Sequence, residues 1–378
     1  MSKKVTVYPF HDAFIPVIKY LNVMSSEYKI SNVVAPMGFG INGKDAGEAY
    51  RKSKTGYIVT NNIEAALLNS DVLLVTDGIK SMAIYDHLIS QIKNAITMQK
   101  EVICTCKLYD KDLLDLKELS KQKDVSFTYC KEEMQWWDNN KPDTDVTGIE
   151  KIDVPVIFIG EVMDGFEGFE MLLQTTLYLQ GQGYKVLSIG NPEYSNLFQI
   201  ETIPAFIYQT GMKEEDKINY FNSYVYHLQK EKNPDVIVIQ LPGGLMKYNT
   251  MITNEYGVYP FMISQAVRGD YMIYCSHFTD AAPKMFTMLS DTFKYRFGFE
   301  INAVNLTNKG LDETDIREKN IELPFVWYEQ SIINDTVSKY NRDSLIPFYN
   351  CENGEEADIL FDEMIHTLSE YGQAVNIV

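Results

Sequence analysis

Glycines and carboxylates share the stretch Gly160-Glu161-Val162-Met163-Asp164-Gly165-Phe166-Glu167. Its spacing is that of a phosphate-cradling loop, G-x-x-x-x-G-K-[ST], set between an apolar strand-like run (Pro155 to Ile159) and a helix-period face (Phe169, Leu172, Leu173, Thr176, Leu177). In such a loop backbone N–H groups surround the phosphates, the Lys meets them as a point charge, and the hydroxyl touches magnesium. Phe166 and Glu167 stand where the Lys and the Ser or Thr belong, so the glycine scaffold is kept and its chemistry is lost. Glu161 and Asp164 lie in the loop, and Glu170 sits one turn on. A carboxylate about 4 Å from one phosphate charge repels it by roughly 4 kcal/mol at an effective dielectric of 20. The helix N-terminus offsets about 1 kcal/mol of that. Ordinary nucleotide hydrolysis is therefore disfavoured. Two readings stay open: Asp164, Glu167 and Gln240 are hard oxygen donors suited to magnesium or calcium, or the acids merely cap the helix.

A second glycine turn belongs with the first. Val236 to Ile239 reads as a buried strand that runs into Gln240-Leu241-Pro242-Gly243-Gly244. Nucleotide-binding folds of this plan end the corresponding strand in an Asp that holds magnesium; Gln240 replaces it, while Gly243 and Gly244 keep the turn. Cys275 and His277 end another strand, and their i, i+2 spacing would place both on one face of a pocket, although no orienting third group is identified. A buried Cys beside an incidental His is the plainer account. Asn308-Lys309 falls where many such proteins recognise the base. No catalytic residue is assigned, no complete metal set is recognised, and the cofactor is left open.

Gly38-Phe39-Gly40-Ile41-Asn42-Gly43 has the G-x-G-x-x-G spacing of dinucleotide folds. It follows the second strand-like run instead of the first, and Lys44-Asp45-Ala46-Gly47 opens no apolar helix, so a plain glycine turn competes with a cofactor loop. Asp77-Gly78 sits where a parallel sheet exposes its carboxyl edge. Cys104-Thr105-Cys106 would bind a soft metal or consist of buried reduced thiols. His11, His87, His227 and His366 form no ligand spacing, and Trp136-Trp137 reads as an anchor or a stacking platform in a polar join.

These residues need elements to hold them. Through residue 135, apolar strand-like runs (Val5 to Tyr8, Ile30 to Ala35, Val72 to Thr76, Glu101 to Cys106, Ser126 to Tyr129) alternate with helical ones. That pattern predicts a parallel sheet covered by helices. Residues 136–154 read as a linker. Residues 155–378 repeat the alternation, with helices at Ile218 to Lys230 and Pro283 to Phe297, a strand near Glu322 to Tyr328 at a sheet edge, and a C-terminal amphipathic helix at Glu355 to Tyr371. The expected fold is α/β, with two doubly wound parallel-sheet domains: an N-terminal Rossmann-like one, and a C-terminal one of the P-loop NTPase plan with a degenerate loop.

Bulk properties narrow the function. The chain has 378 residues, 45% hydrophobic and 23% charged, and a net charge of -18 from 34 basic and 52 acidic side chains. Such a surface argues against nucleic-acid or anionic-membrane binding, which need clustered Lys and Arg, and is compatible with basic partners. MSKKVTVYPF has no apolar core of signal-peptide length, so a cytoplasmic location is expected.

Taken in order, GFGINGKDAG (38–47), GEVMDGFEGFE (160–170), GYKVLSIGN (183–191), PDVIVIQLPGG (234–244), ISQAV (263–267) and YRFGFEINAVNLTN (295–308) resemble the peptide maturation system proteins of bacteriocin-like natural-product clusters. The resemblance implies work on a ribosomally made peptide alongside other maturation enzymes; together with the altered loop it gives the expectation of an accessory, non-hydrolytic component that binds a precursor peptide or partner enzymes, and a homo- or hetero-oligomer is possible. A competing expectation is an enzyme holding a nucleotide or a metal between Gly160–Gly165 and Gln240–Gly244. A third is an NAD(P)-dependent oxidoreductase using the N-terminal glycines.

Overall fold

The computed structural model describes residues 2–76, 82–130, 148–165, 167–190, 194–279, 283–311 and 325–374. Asp77-Gly78, Trp136-Trp137, Phe166 and the charged run from 312 onward lie outside the described residues. The chain divides into two compact units, Met1–Lys141 with Pro192–Gln199, and Pro142–Asn191 with Ile200–Val378.

The first unit is built on β1 (Lys3–Tyr8), β2 (Tyr28–Val34), β3 (Val59–Thr60), β4 (Val72–Val75), β5 (Glu101–Cys104) and β6 (Phe127–Tyr129). Their order is β3-β2-β1-β4-β5-β6, and every pair is parallel. This is the Rossmann-like order, with a reversal between β1 and β4. All four residues of β4 are buried, as a strand covered on both faces requires. The crossover helices are α1 (Ile15–Met24), α2 (Ile63–Leu68), α3 (Met82–Thr97) and α4 (Asp110–Lys123). Helix α2 starts where the Asn62 side chain accepts the Ala65 N–H at 3.0 Å. Helix α4 has Asp110 and Asp112 in its first turn and Lys121 and Lys123 in its last, signs that suit the helix dipole. Leu88 and Ile92 of α3 and Leu116 of α4 pack with Leu73, Val75 and Val102 of the sheet.

The second unit centres on β7 (Val156–Glu161), buried along its whole length. Around it lie β8 (Val186–Gly190), β9 (Glu201–Thr202), β10 (Val236–Gly244), β11 (Tyr271–Ser276) and β12 (Ala303–Leu306), while β13 (Lys309–Leu311), β14 (Phe325–Trp327) and β15 (Phe348–Tyr349) come last in the chain. The seven-stranded sheet runs β15-β12-β11-β7-β10-β8-β9, again all parallel. Its helices are α5 (Gly168–Gly181), α6 (Glu214–Lys232), α7 (Val258–Ala266), α8 (Pro283–Phe297), α9 (Gln330–Tyr340) and α10 (Gly354–Ala374). Helix α6 ends on Asn233 in the left-handed region, directly before Pro234, which cannot continue a helix. The two parallel-sheet α/β domains are those the alternation predicts.

Three local details differ from the sequence reading. Strands β7 and β10 run on through Glu161 and Gly244, because Gly244 still pairs with Glu161 beyond an irregularity in the ladder. The strand expected at a sheet edge near residues 322–328 is instead β14, paired antiparallel with β13 in a separate two-stranded ribbon. Helix α7, over VYPFMISQA, escapes the period test because its sequence is apolar on almost every face. No helix among the described residues is long and apolar enough to cross a membrane.

Candidate functional site

The glycine-and-acid loop joins β7 to α5 at the carboxyl edge of the second sheet. Register sets Glu161 between Gly244 of β10 and Cys275 of β11. The Glu161 side chain is 3% exposed and accepts a hydrogen bond from Gln240 Nε2 at 3.1 Å. It lies against the first residue of α5: a Cβ built on Gly168 would meet Glu161 Oε1 at 2.3 Å. Only glycine lets the carboxylate sit there. The positive end of the helix dipole favours an anion at that place, and the chain sets a carboxyl group of its own there.

The other expected residues converge on the same edge. Asp164 Oδ1 accepts the Gly243 N–H at 3.1 Å, which ties the first glycine turn to the second. Gly165 has φ +89°, and its carbonyl accepts from Lys309 Nζ at 3.1 Å. Lys309 is buried, and its ammonium lies 3.9 Å from the centroid of the Phe325 ring. A cation thus reaches the loop from the first residue of β13, where the sequence motif has none. Glu167 occupies the N-cap position of α5 without a side-chain capping bond, at φ +73°, a left-handed conformation that costs a non-glycine residue about 1–2 kcal/mol.

Behind this loop the backbone is strained again. Asn254, Glu255 and Tyr256 have φ of +48°, +44° and +54°, followed by Gly257 at +67°. Asn254 Nδ2 donates to Val162 O at 2.9 Å and to Met246 O at 2.8 Å, and Arg296 donates to Tyr256 O. The left-handed turn is therefore held by bonds to the loop on one side and to α8 on the other.

Glu167 also lines a shallow cleft with Glu170, Gln174, Asn305, Cys351 and Glu352. Asn305 Oδ1 accepts Cys351 N–H at 3.0 Å, and Gln174 Nε2 donates to Cys351 O at 3.3 Å. Burial pushes the Cys351 thiol well above its usual range, and Glu167, Glu356, Glu170 and Glu352 push it further. Burial does the same to Cys275, with Glu161, Cys351 and Glu167 adding to it. Both thiols are held protonated and are weak nucleophiles. Among the described residues, no group of three or more His, Cys, Asp or Glu side chains is arranged to hold a metal ion.

Cys275 and His277 have separate surroundings. Asn305 Nδ2 approaches Cys275 Sγ at 3.9 Å, whereas His277 Nε2 is 3.3 Å from Tyr248 Oη. Strand β11 stops at Ser276, so the same-face rule for i and i+2 does not extend to His277. Asn308 is buried, with Nδ2 donating to Tyr328 O at 3.3 Å and its carbonyl accepting the Tyr328 N–H at 2.8 Å. It clamps the β13–β14 ribbon. Gly168, Asn254, Asn305 and Cys351 were not part of the sequence-derived site, whereas Lys309 was noted there beside Asn308. The second glycine of GFEG was the signal for Gly168; nothing in residue spacing marks the others.

In the first unit, Gly38, Gly40 and Gly43 all take positive φ, in a loop between β2 and β3. Its centre is Asp45, 6% exposed. Asp45 accepts N–H bonds from Gly47 (2.8 Å), Glu48 (3.3 Å), Thr55 (3.0 Å) and Gly56 (2.8 Å), and a bond from the Thr55 hydroxyl at 3.2 Å. Burial alone would raise its pKa, but the amides of Thr55, Gly47, Glu48 and Gly56 outweigh it and hold the carboxyl below its ordinary value. A Cβ on Gly47 would fall 1.9 Å from Ser53 O, so this loop also closes on itself. The fingerprint of dinucleotide sheets follows β1. In this chain the turn after β1 carries no such glycines, and its Phe10 and Phe14 are both fully buried.

No family model matches the sequence, and no curated protein does. Among solved structures, the chain is similar to a DUF1611 family protein from Anabaena variabilis, with a TM-score of 0.61 and 12% identity over 98% of this chain and 100% of that one. At that identity the likeness is one of fold. Chloroplast FtsY from Physcomitrella patens aligns with 61% of this chain and 76% of its own, at 12% identity and a TM-score of 0.27, too slight to argue from.

Proposed function

We propose that the second unit is a non-hydrolytic relative of nucleotide-binding folds. We further propose that the protein serves as an accessory component of a ribosomal peptide natural-product maturation system, binding a precursor peptide or a partner enzyme. One observation carries the first part: the buried Glu161 carboxylate lies against the start of α5, where a bound phosphate would need to sit. The motif's lysine position is Phe166, and Asp164, Glu167 and Glu170 surround the loop with further negative charge. A phosphate charge that came within about 4 Å of any one of these carboxylates would be repelled by roughly 4 kcal/mol at an effective dielectric of 20. The resemblance of the six quoted segments supports the second part. The protein should co-elute in size-exclusion chromatography with the precursor peptide or maturation enzymes encoded beside it. Elution as an isolated species in their presence would reject the accessory role.

A second reading rests on Lys309. Its ammonium at the Gly165 carbonyl is a cation that could serve an anionic ligand after a rearrangement of the loop, as a nucleotide-binding enzyme would need. Calorimetry with ATP or GTP and magnesium, on the native chain and on Lys309→Ala, separates the readings. Binding that Lys309→Ala abolishes supports the enzyme; silence in both supports the non-hydrolytic protein.

A further inference from the structure

We propose that Cys104 and Cys106 form a reversible dithiol–disulfide couple at the carboxyl edge of the first sheet. Their sulfurs are 3.4 Å apart, already in van der Waals contact, and Cys104 Sγ also approaches Cys106 O at 3.6 Å. The residue between them is fixed: Thr105 donates to Val75 O from its N–H and its hydroxyl, both at 3.0 Å. The chain just beyond is fixed as well, since Leu108 N–H donates to Tyr129 Oη at 3.3 Å and Tyr109 N–H to Tyr85 Oη at 2.9 Å. Anchored on both sides, the two side chains are held facing each other. Closure to a disulfide, about 2.05 Å between sulfurs, needs a movement of only about 1.4 Å.

Position gives the couple a directed order of reaction. Both residues are buried, and Cys106, at 3% against 0% for Cys104, is the more accessible of the two. With a low-molecular-weight disulfide RSSR as oxidant, the Cys106 thiolate attacks one sulfur and one RS⁻ leaves, taking up the proton that Cys106 gave to solvent. The Cys104 thiol, which burial and Cys106 push well above its usual range, loses its proton in the slow step and attacks the adjacent Cys106 Sγ, expelling the second RS⁻, which is protonated in turn. Two thiols are oxidised and RSSR is reduced to two RSH. A loop with one intervening residue removes little entropy from the unfolded chain, so the bond is a poor staple. What it changes is local. Thr105 holds the carbonyl of Val75, the last residue of β4, and the next residue, Thr76, donates its hydroxyl to Pro9 O at the end of β1. The couple therefore acts on the β1–β4 boundary, where sheets of this order bind ligands.

The test uses the full native chain, equilibrated with reduced and oxidised glutathione in stepped ratios, quenched with N-ethylmaleimide and mapped by peptide mass spectrometry. The expected result is a peptide containing Cys104 and Cys106 that passes from doubly alkylated to an internal disulfide lacking two hydrogens, and that returns on reduction. Cys130→Ser should leave this transition in place. Double alkylation at every ratio, arrest at a glutathionylated Cys106, or pairing of either residue with Cys130 would each overturn the proposal.

Discussion

The two glycine-rich loops look alike in sequence and solve the same problem differently. Each places a carboxylate of its own where glycines let the chain approach closely. In the 38–56 loop Asp45 takes four amide N–H groups and a hydroxyl from within a dozen residues. In the 160–168 loop Glu161 takes its bond from Gln240, a side chain on a neighbouring strand, and rests on the first residue of a helix. The first arrangement closes a loop and finishes there. The second links two strands and a helix at the edge where parallel sheets place their ligands. Glycine spacing reports a backbone that can surround an anion; whether the anion comes from a ligand or from the chain is decided by one side chain.

The largest effect that tests this contrast is Asp45→Ala. It leaves one buried and three part-buried amides and a hydroxyl without their acceptor, and an unsatisfied group costs about 1–3 kcal/mol where it is buried. A loss of at least about 3 kcal/mol is expected in urea unfolding, and a loss below 1 kcal/mol would remove the distinction between the loops. The same residue sets a pH dependence. Its carboxyl is held below the ordinary value in the folded chain, so its stabilisation is present above the unfolded pKa and is lost as pH falls through the folded one. Asp45→Asn should flatten the acid limb of the stability curve, and an unchanged limb would contradict the assignment.

Next in size is Gly168→Ala, expected to cost about 1–3 kcal/mol as the new methyl meets Glu161 Oε1. The cost should fall by at least half in the Glu161→Ala background. Additive costs in the double-mutant cycle would place Glu161 elsewhere. The smallest effect is a gain: Glu255→Gly relieves a left-handed residue at φ +44° and should stabilise by up to about 1 kcal/mol. A loss there would mean that the Glu255 side chain does more than endure its backbone.

The alternation of apolar strands and helices was enough to predict both parallel sheets, because fully covered strands such as VLLV and VIFI leave a continuous apolar signature. Short pieces such as β3, β9 and β15, two residues each, carry too little pattern to be seen. The loop acids were legible as charges opposed to phosphate. The place of Glu161 was not, since it depends on a ladder that continues past Ile159 and on the missing Cβ of Gly168. Lys309 lies more than 140 residues from the loop it reaches, and only the order of β12, β11 and β7 in the sheet brings the two together. The i, i+2 argument for Cys275 and His277 failed at a strand end that sequence does not mark.

Titration calorimetry of the native chain with magnesium–ATP and magnesium–GTP addresses the central claim most directly. With Glu161 seated at the start of α5, neither nucleotide should produce saturable heat at millimolar concentration. Saturable, magnesium-dependent binding that Gly165→Val abolishes would show that the carboxylate yields its place to a phosphate, and would contradict the account.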